Sequence, residues 1–246
     1  GVAFFGVCNV NDKAKGVTGS SNPVGDAFDV DYVAHEMGHQ FHASHTFNAN
    51  TSACGGNGEN DAAYEPGGGT TIMAYAGICG AGDNMQQHSD AYFHSKNLDE
   101  IGAFITSSNG NCAVTTTLSN TPPSIPSFSQ NYSIPYLTPF ELTAPTIVDS
   151  NHDSLNYCWE QWNLGDFKSS WSAANLKGPI YRSFLPTTNP TRVFLRLDSL
   201  LNGSISYRGE KLPQDTRFLT FKLTVRDMLN GLGSFNLSTD TIHLDV

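Results

Sequence analysis

The 246-residue sequence predicts an α+β domain followed by an all-β sandwich module. Three observations carry that prediction. Apolar residues recur at helical spacing in the first half and alternate with polar ones in the second. Between the two lies TTTLSNTPPSIP, Thr115 to Pro126, rich in Thr, Ser and Pro and without periodicity, which reads as a linker. Charge also changes. Residues 1–120 hold 3 Lys/Arg against 12 Asp/Glu (net −9), and residues 121–246 hold 10 against 11 (net −1), together the chain's −10. The expected domains are therefore 1–114 and 127–246, joined by 115–126.

The elements follow in order. GVAFFGVC opens a strand running from Gly1 to Asn9, and a loop rich in Gly, Ser and Asn follows it to Gly25. A helix starts at Asp26, which serves as its cap, with Asp29 in the acidic first turn. Val30, Val33, Ala34, Met37 and Phe41 recur at helical spacing and mark a core face, leaving His35 and His39 on the other. Asn48 to Gly69 is a long Gly- and Asn-rich loop containing Glu59 and Glu65. Asp90 to Ser107 is a second helix, with Phe93, Leu98, Ile101 and Ile105 apolar. Beyond the linker, Leu219, Phe221, Leu223 and Val225 alternate with Thr220, Lys222, Thr224 and Arg226. Val193, Leu195 and Leu197 repeat the pattern, and Pro, Asn and Gly punctuate short strands. No run of 18 apolar residues is present, so no membrane span is expected.

The chemistry concentrates in HEMGHQFHASH, His35 to His45. Positions four apart share one helix face, so His35 and His39 reach one ion and Glu36 lies beside it. This is the HExxH arrangement of zinc hydrolases, in which three protein ligands leave one position open for water. His45 stands at the spacing of a third ligand if the helix ends near His42. If the helix runs on, His42 is the alternative, although the rise from His35 would then be about 10.5 Å. Downstream, Met73 in TIMAYAGIC stands before a tight turn suited to lie beneath a metal.

These motifs resemble the metzincin metallopeptidases, whose pattern is HExxHxxGxxH followed by a Met-turn, and among them the reprolysin (adamalysin)-like enzymes of the bacterial secreted branch. The resemblance runs from Gly1 to Val114. It implies a metzincin-like catalytic domain and a secreted zinc endopeptidase acting on protein or peptide substrates. His35, His39 and His45 would hold Zn²⁺, Glu36 would be the general base and Met73 the Met-turn residue. In related metzincin branches a Tyr at the position of Tyr75 approaches the zinc, which makes Tyr75 a candidate for stabilising the oxyanion. The family's Gly falls at His42. That Gly adopts φ > 0, and a non-Gly residue there costs roughly 1 kcal/mol.

The family also implies bridges Cys8–Cys112 and Cys54–Cys79, with Cys158 left as a buried thiol. Four cysteines allow three pairings, and spacing alone does not choose among them. Few residues precede His35, so the chain is expected to be a processed or truncated piece that lacks the N-terminal part of the catalytic domain. The second module resembles cadherin-like and fibronectin-type modules of secreted bacterial enzymes and is expected to bind a substrate or surface. Asp149, Asn151 and Asp153 read first as polar residues of a turn between strands, and they also alternate as oxygen ligands of a Ca²⁺ loop do.

Two other readings stand beside the first. A gluzincin would take its third ligand from a Glu about 20 residues beyond HExxH. Glu59 fits that offset but lies in a Gly/Asn loop. A non-catalytic adhesive or carbohydrate-binding protein could also retain the metal site, though it would have no need of Glu36. His88 and His94 are not at ligand spacing. The acidic first half argues against nucleic acid as a partner.

Overall fold

The computed structural model describes residues 1–167, 170–172, 177–228, 233–238 and 242–246. Its architecture is mixed α/β, with few helices and small sheets. The chain divides into two compact units. One is Gly1–Thr116 with Asp166–Ala173, and the other Thr117–Gly165 with Ala174–Val246.

In the first unit, β1 (Val2–Ala3) pairs antiparallel with β2 (Gly16–Val17). The strand expected over Gly1–Asn9 is therefore much shorter. Its backbone is diverted: Gly6, at φ 108, and Val7 both donate their N–H to the carbonyl of Gln40, closing the end of a helix instead of extending a sheet.

That helix is built of α1 (Asp26–Phe28), a π-helical stretch (Asp29–Ala34) and α2 (His35–Gln40). Gly25, at φ 72, is the N-cap, and Asp26 lies one position inside. Asp26 thus acts through its charge at the positive helix end rather than as the capping acceptor. The π stretch widens the turn and resets which residues face inward. Val30 and Ala34 pack on the core, while Met37, expected inside, is 56% exposed. The next inward position is Gly38. A Cβ there would lie 2.4 Å from Met73 Sδ, so the core needs a residue without a side chain at that point.

α3 (Ser95–Thr106) starts later than Asp90 because the preceding backbone is engaged elsewhere. Asp90 N–H donates to Thr70 O, and Ile72 N–H donates to Tyr92 O. His94 is the N-cap, its Nδ1 accepting from Lys96 N–H at 3.1 Å. Phe104 is buried in this helix, whereas Ile105, expected on the apolar face, is 47% exposed.

One core cluster of this unit gathers Ala43, Ile72 and Met73, covered by Val30, Ala34, Phe93 and Ile101. A second gathers Phe47, Ala49, Cys54 and Cys79 against Tyr75. Cys8 is bonded to Cys112 and Cys54 to Cys79, the pairing that the family resemblance implied, and Cys158 is a buried thiol.

In the second unit the long strand β9 (Phe218–Asp227) organises a five-stranded sheet. β5 (Leu155–Gln161) pairs along it antiparallel. β10 (Phe235–Leu237) and β11 (Ile242–Asp245) pair with different stretches of β9, and β3 (Asn131–Ser133) lies parallel to β11. Separately, β4 (Phe140–Thr143) pairs with β6 (Thr191–Phe194), and β7 (Ser206–Tyr207) with β8 (Glu210–Lys211). The alternation Leu219, Phe221, Leu223, Val225 holds, all four being fully buried. They share a core with Trp159 of β5, Leu142 of β4 and Phe194 of β6. The alternation read through Leu197 stops at Phe194. Leu197 instead begins the short helix α4 (Leu197–Leu201), with Asp198 in its first turn, and is 57% exposed. Part of the stretch expected as linker is fastened here: Ser124 bridges Val148, and Thr121 N–H donates to Asn151 Oδ1.

Candidate metal centre

His35 and His39 lie in α2, one turn apart. The helix closes where His42 N–H donates to His39 O and Ala43 N–H to Gly38 O. His42 takes φ 70, the left-handed conformation that reverses the chain and returns His45 toward the helix. His45 Nε2 then lies 3.1 Å from His35 Nε2 and 3.0 Å from His39 Nε2. Each remaining ring nitrogen faces a backbone carbonyl: His35 Nδ1 donates to Ile72 O (2.7 Å), His39 Nδ1 to Ala43 O (2.8 Å) and His45 Nδ1 to Asn57 O (2.5 Å). That pattern fixes Nδ1–H on all three rings and leaves three Nε2 lone pairs converging on one point.

Electrostatics keep the rings neutral. Burial, reinforced by the neighbouring His39 and His45, lowers the His35 pKa to about 3. Burial and the proximity of His39 lower that of His45 to about 4. Burial also lowers His39, against the partial opposition of Ala43 O and Glu36. Neutral imidazoles are the form that binds a metal, and three of them form a group able to hold one ion.

Glu36 sits beside this group with Oε2 buried and without a hydrogen-bond partner. It lines a cavity of about 300 Å³ together with His35, Tyr75, Asp31 and His88. Tyr75 packs at 4.7 Å from the His45 ring and 5.6 Å from that of His35. Burial first, and then the charge of Glu36, raises the Tyr75 pKa, so the phenol keeps its proton. Met73 is fully buried against Gly38, beneath the helix that carries the histidines.

His42 turns away from the three rings and stacks on Phe104 (4.3 Å) and Phe5 (5.0 Å). Glu59 stays exposed in its loop. His88, 64% exposed, pairs with Asp31 at the rim of the cavity, and His94 is the buried cap of α3.

One acidic residue of the Gly- and Asn-rich loop, which as sequence suggested at most an alternative metal ligand, has a different place in the geometry. Glu65 is fully buried and accepts from Thr46 Oγ1 (2.6 Å), Thr71 Oγ1 (2.5 Å), Thr70 N–H (2.7 Å), Thr70 Oγ1 (3.1 Å) and Thr71 N–H (3.3 Å). It clamps the residue after His45 to the pair preceding Ile72, whose carbonyl orients His35. The usable signal was weak: one of two Glu residues in a Gly-rich loop, with threonines at 46, 70 and 71.

Residues 1–103 match a family model described as metallo-peptidase family M12B, reprolysin-like. The first unit is thus similar to that family over most of its length. No curated protein matches the chain. A solved structure described as a nucleoside hydrolase-related hypothetical protein from Saccharophagus degradans, associated with carbohydrate metabolism, is similar at 16% identity and a TM-score of 0.30. The likeness covers 64% of this chain and 34% of that one, and one so loose carries no argument.

Proposed function

We propose that this chain is a secreted zinc endopeptidase of the bacterial reprolysin-like type. The observation that carries the reading is the convergence of three Nε2 atoms, each ring held by a carbonyl at Nδ1, beside the unpartnered Glu36 Oε2. The donor set fits zinc: three neutral imidazoles from a buried, pre-oriented cluster. His35, His39 and His45 would hold the ion.

When bound, zinc supplies Lewis acidity to a water and to the carbonyl of a peptide. Glu36 takes a proton from the water as its oxygen adds to the carbonyl carbon, and returns it to the amine nitrogen as the C–N bond breaks. Tyr75, kept protonated, donates to the carbonyl oxygen as that atom gains charge. Met73 and Gly38 set the floor on which α2 rests. The cavity lined by Asp31 and Tyr75 receives a substrate side chain.

The second unit, read as a cadherin- or fibronectin-like β-sandwich, would hold the enzyme on a substrate or surface. Two disulfides suit an oxidising compartment, and no helix among the described residues is long and apolar enough to cross a membrane.

Cleavage of an unstructured protein, measured with chelator and after readdition of zinc, tests the activity. Glu36→Gln should keep one zinc per chain while lowering turnover at least about 10²–10⁴-fold. Equal cleavage by parent and variant would remove Glu36 from the mechanism. Zinc binding without cleavage of any peptide by the parent would leave a metal-binding, non-catalytic protein.

A further inference from the structure

The second unit contains another convergence of ligand atoms. Asp149, Asp153 and Asp227 bring carboxylate oxygens within 4.8 Å of one another. Asp149 is 8% exposed and Asp227 2%. The Asp149 carboxylate is held in a definite orientation. Its Oδ1 accepts the backbone N–H of Asn151 and of Asp153, each at 3.0 Å. Its Oδ2 is buried and has no hydrogen-bond partner, and the same is true of Asp153 Oδ2. Among the described residues no Lys or Arg pairs with either. Asp227 is fixed from the other side by Ser234 N–H and Oγ, and by Asn120 Nδ2 at 2.9 Å.

A buried carboxylate oxygen without a donor is costly, and two of them beside a third carboxylate are costlier. A water would leave the like charges uncompensated. A divalent cation would satisfy the oxygens and the charge together. We infer that Asp149, Asp153 and Asp227 form a second cation site, specific for Ca²⁺. The all-oxygen donor set excludes a preference for soft metals. Several carboxylates presented together, with room left for carbonyls or waters, suit the flexible shell of six to eight oxygens that Ca²⁺ takes. Mg²⁺ retains its waters and gains less from such a group.

The site lies where the chain enters this unit. Thr121 N–H bonds Asn151 Oδ1, and Asn151 Nδ2 bonds the carbonyl of Ser119 at 3.3 Å. An ion there would fasten the entering segment to the Asp149–Asp153 turn and the end of β9. The inference does not depend on the peptidase reading.

The test is calorimetric titration of CaCl₂ into the full chain in calcium-free buffer with zinc present, read beside thermal unfolding. One Ca²⁺ per chain is expected, with Kd in the range of about 10⁻⁵–10⁻³ M and a rise in Tm that equal Mg²⁺ does not reproduce. Asp153→Asn, in which the Asp149 turn keeps its backbone bonds, should weaken binding at least about tenfold. Asp149→Asn with Asp153→Asn should abolish it, while Asp198→Asn, on an exposed acid elsewhere in the unit, should change nothing. Absence of Ca²⁺ binding by the folded parent chain overturns the site whatever the variants do. Unchanged affinity in Asp153→Asn overturns it as well.

Discussion

Replacing His42 by Gly separates two roles for that residue, and the structure sets the expected sign. At φ 70 the His backbone occupies the left-handed region, so Gly would relieve roughly 1 kcal/mol of strain. The same change deletes two ring contacts, with Phe104 at 4.3 Å and Phe5 at 5.0 Å, both at an interplanar angle of 24°. Aromatic pairs contribute about 0.5–1.5 kcal/mol each, and Gly adds about 0.4–1 kcal/mol of unfolded-chain freedom. The losses exceed the gain, and His42→Gly should destabilise the turn by about 0.5–3 kcal/mol. Zinc content should stay the same, since His42 is outside the group of three converging histidines and its ring stacks on Phe104 and Phe5. Because the chain has two units, global unfolding mixes them. Hydrogen exchange of peptides spanning His35 to Phe47 reads the local effect, and elemental analysis reads the metal. Greater protection in His42→Gly would mean that the stacking contributes nothing and strain dominates. Loss of zinc would make His42 a ligand and void the account of the turn.

Three further outcomes follow from the same geometry. His45→Ala should lose most zinc affinity, since two imidazoles hold the ion poorly; a variant that retains one tightly bound zinc would remove His45 from the ligand set. Glu65→Ala removes the carboxylate that accepts from buried Thr46, Thr70 and Thr71, bonds to a charged group contributing about 1.5–3 kcal/mol each, so stability should fall by at least about 3 kcal/mol and zinc affinity with it. A fall in stability with unchanged zinc affinity would deny Glu65 its positioning role. The zinc-free protein should lose stability as pH falls below about 6.5. His35 and His45, at about 3 and about 4 in the folded state, stay neutral while the unfolded chain takes up their protons. Urea midpoints that do not change between pH 7.5 and 5 would contradict the buried-neutral rings.

The cluster of His35, His39 and His45 was legible because its spacing is local. Two rings four apart on a helix are a fact of sequence, whereas His42 in place of Gly left two geometries, a helix that ends there or one that runs on; the backbone ends it, with His42 at φ 70. The helix around them was less legible. A period of 3.6 placed Met37 inside, but the π stretch resets the phase, and the inward position is Gly38, whose absent side chain makes room for Met73. No propensity marks a Gly as a core residue. The opening strand was over-read because apolar composition does not say where backbone hydrogen bonds go, and here they go to Gln40 O. In the second unit Leu219 to Val225 was plain from alternation, whereas Leu197 follows the alternation and yet starts a helix. Glu65 illustrates a general limit: its meaning lies in three threonines that only the fold brings together.

The three carbonyls that aim the histidines belong to Ala43, Asn57 and Ile72, and in each case the contact is made by the main chain. Every amino acid carries that oxygen. What the site demands of these positions is therefore the count of residues between them rather than their identity. Asn57→Ala leaves the acceptor of His45 in place, but deleting one residue between Thr46 and Asn57 moves it. The same holds for Ile72, whose distance along the chain from Glu65 is set by the clamp on Thr70 and Thr71. Lineages of this architecture would thus be free to substitute around the three histidines while being held to fixed loop lengths, and a library built by insertion and deletion would find the boundary of the candidate metal site that alanine scanning passes over.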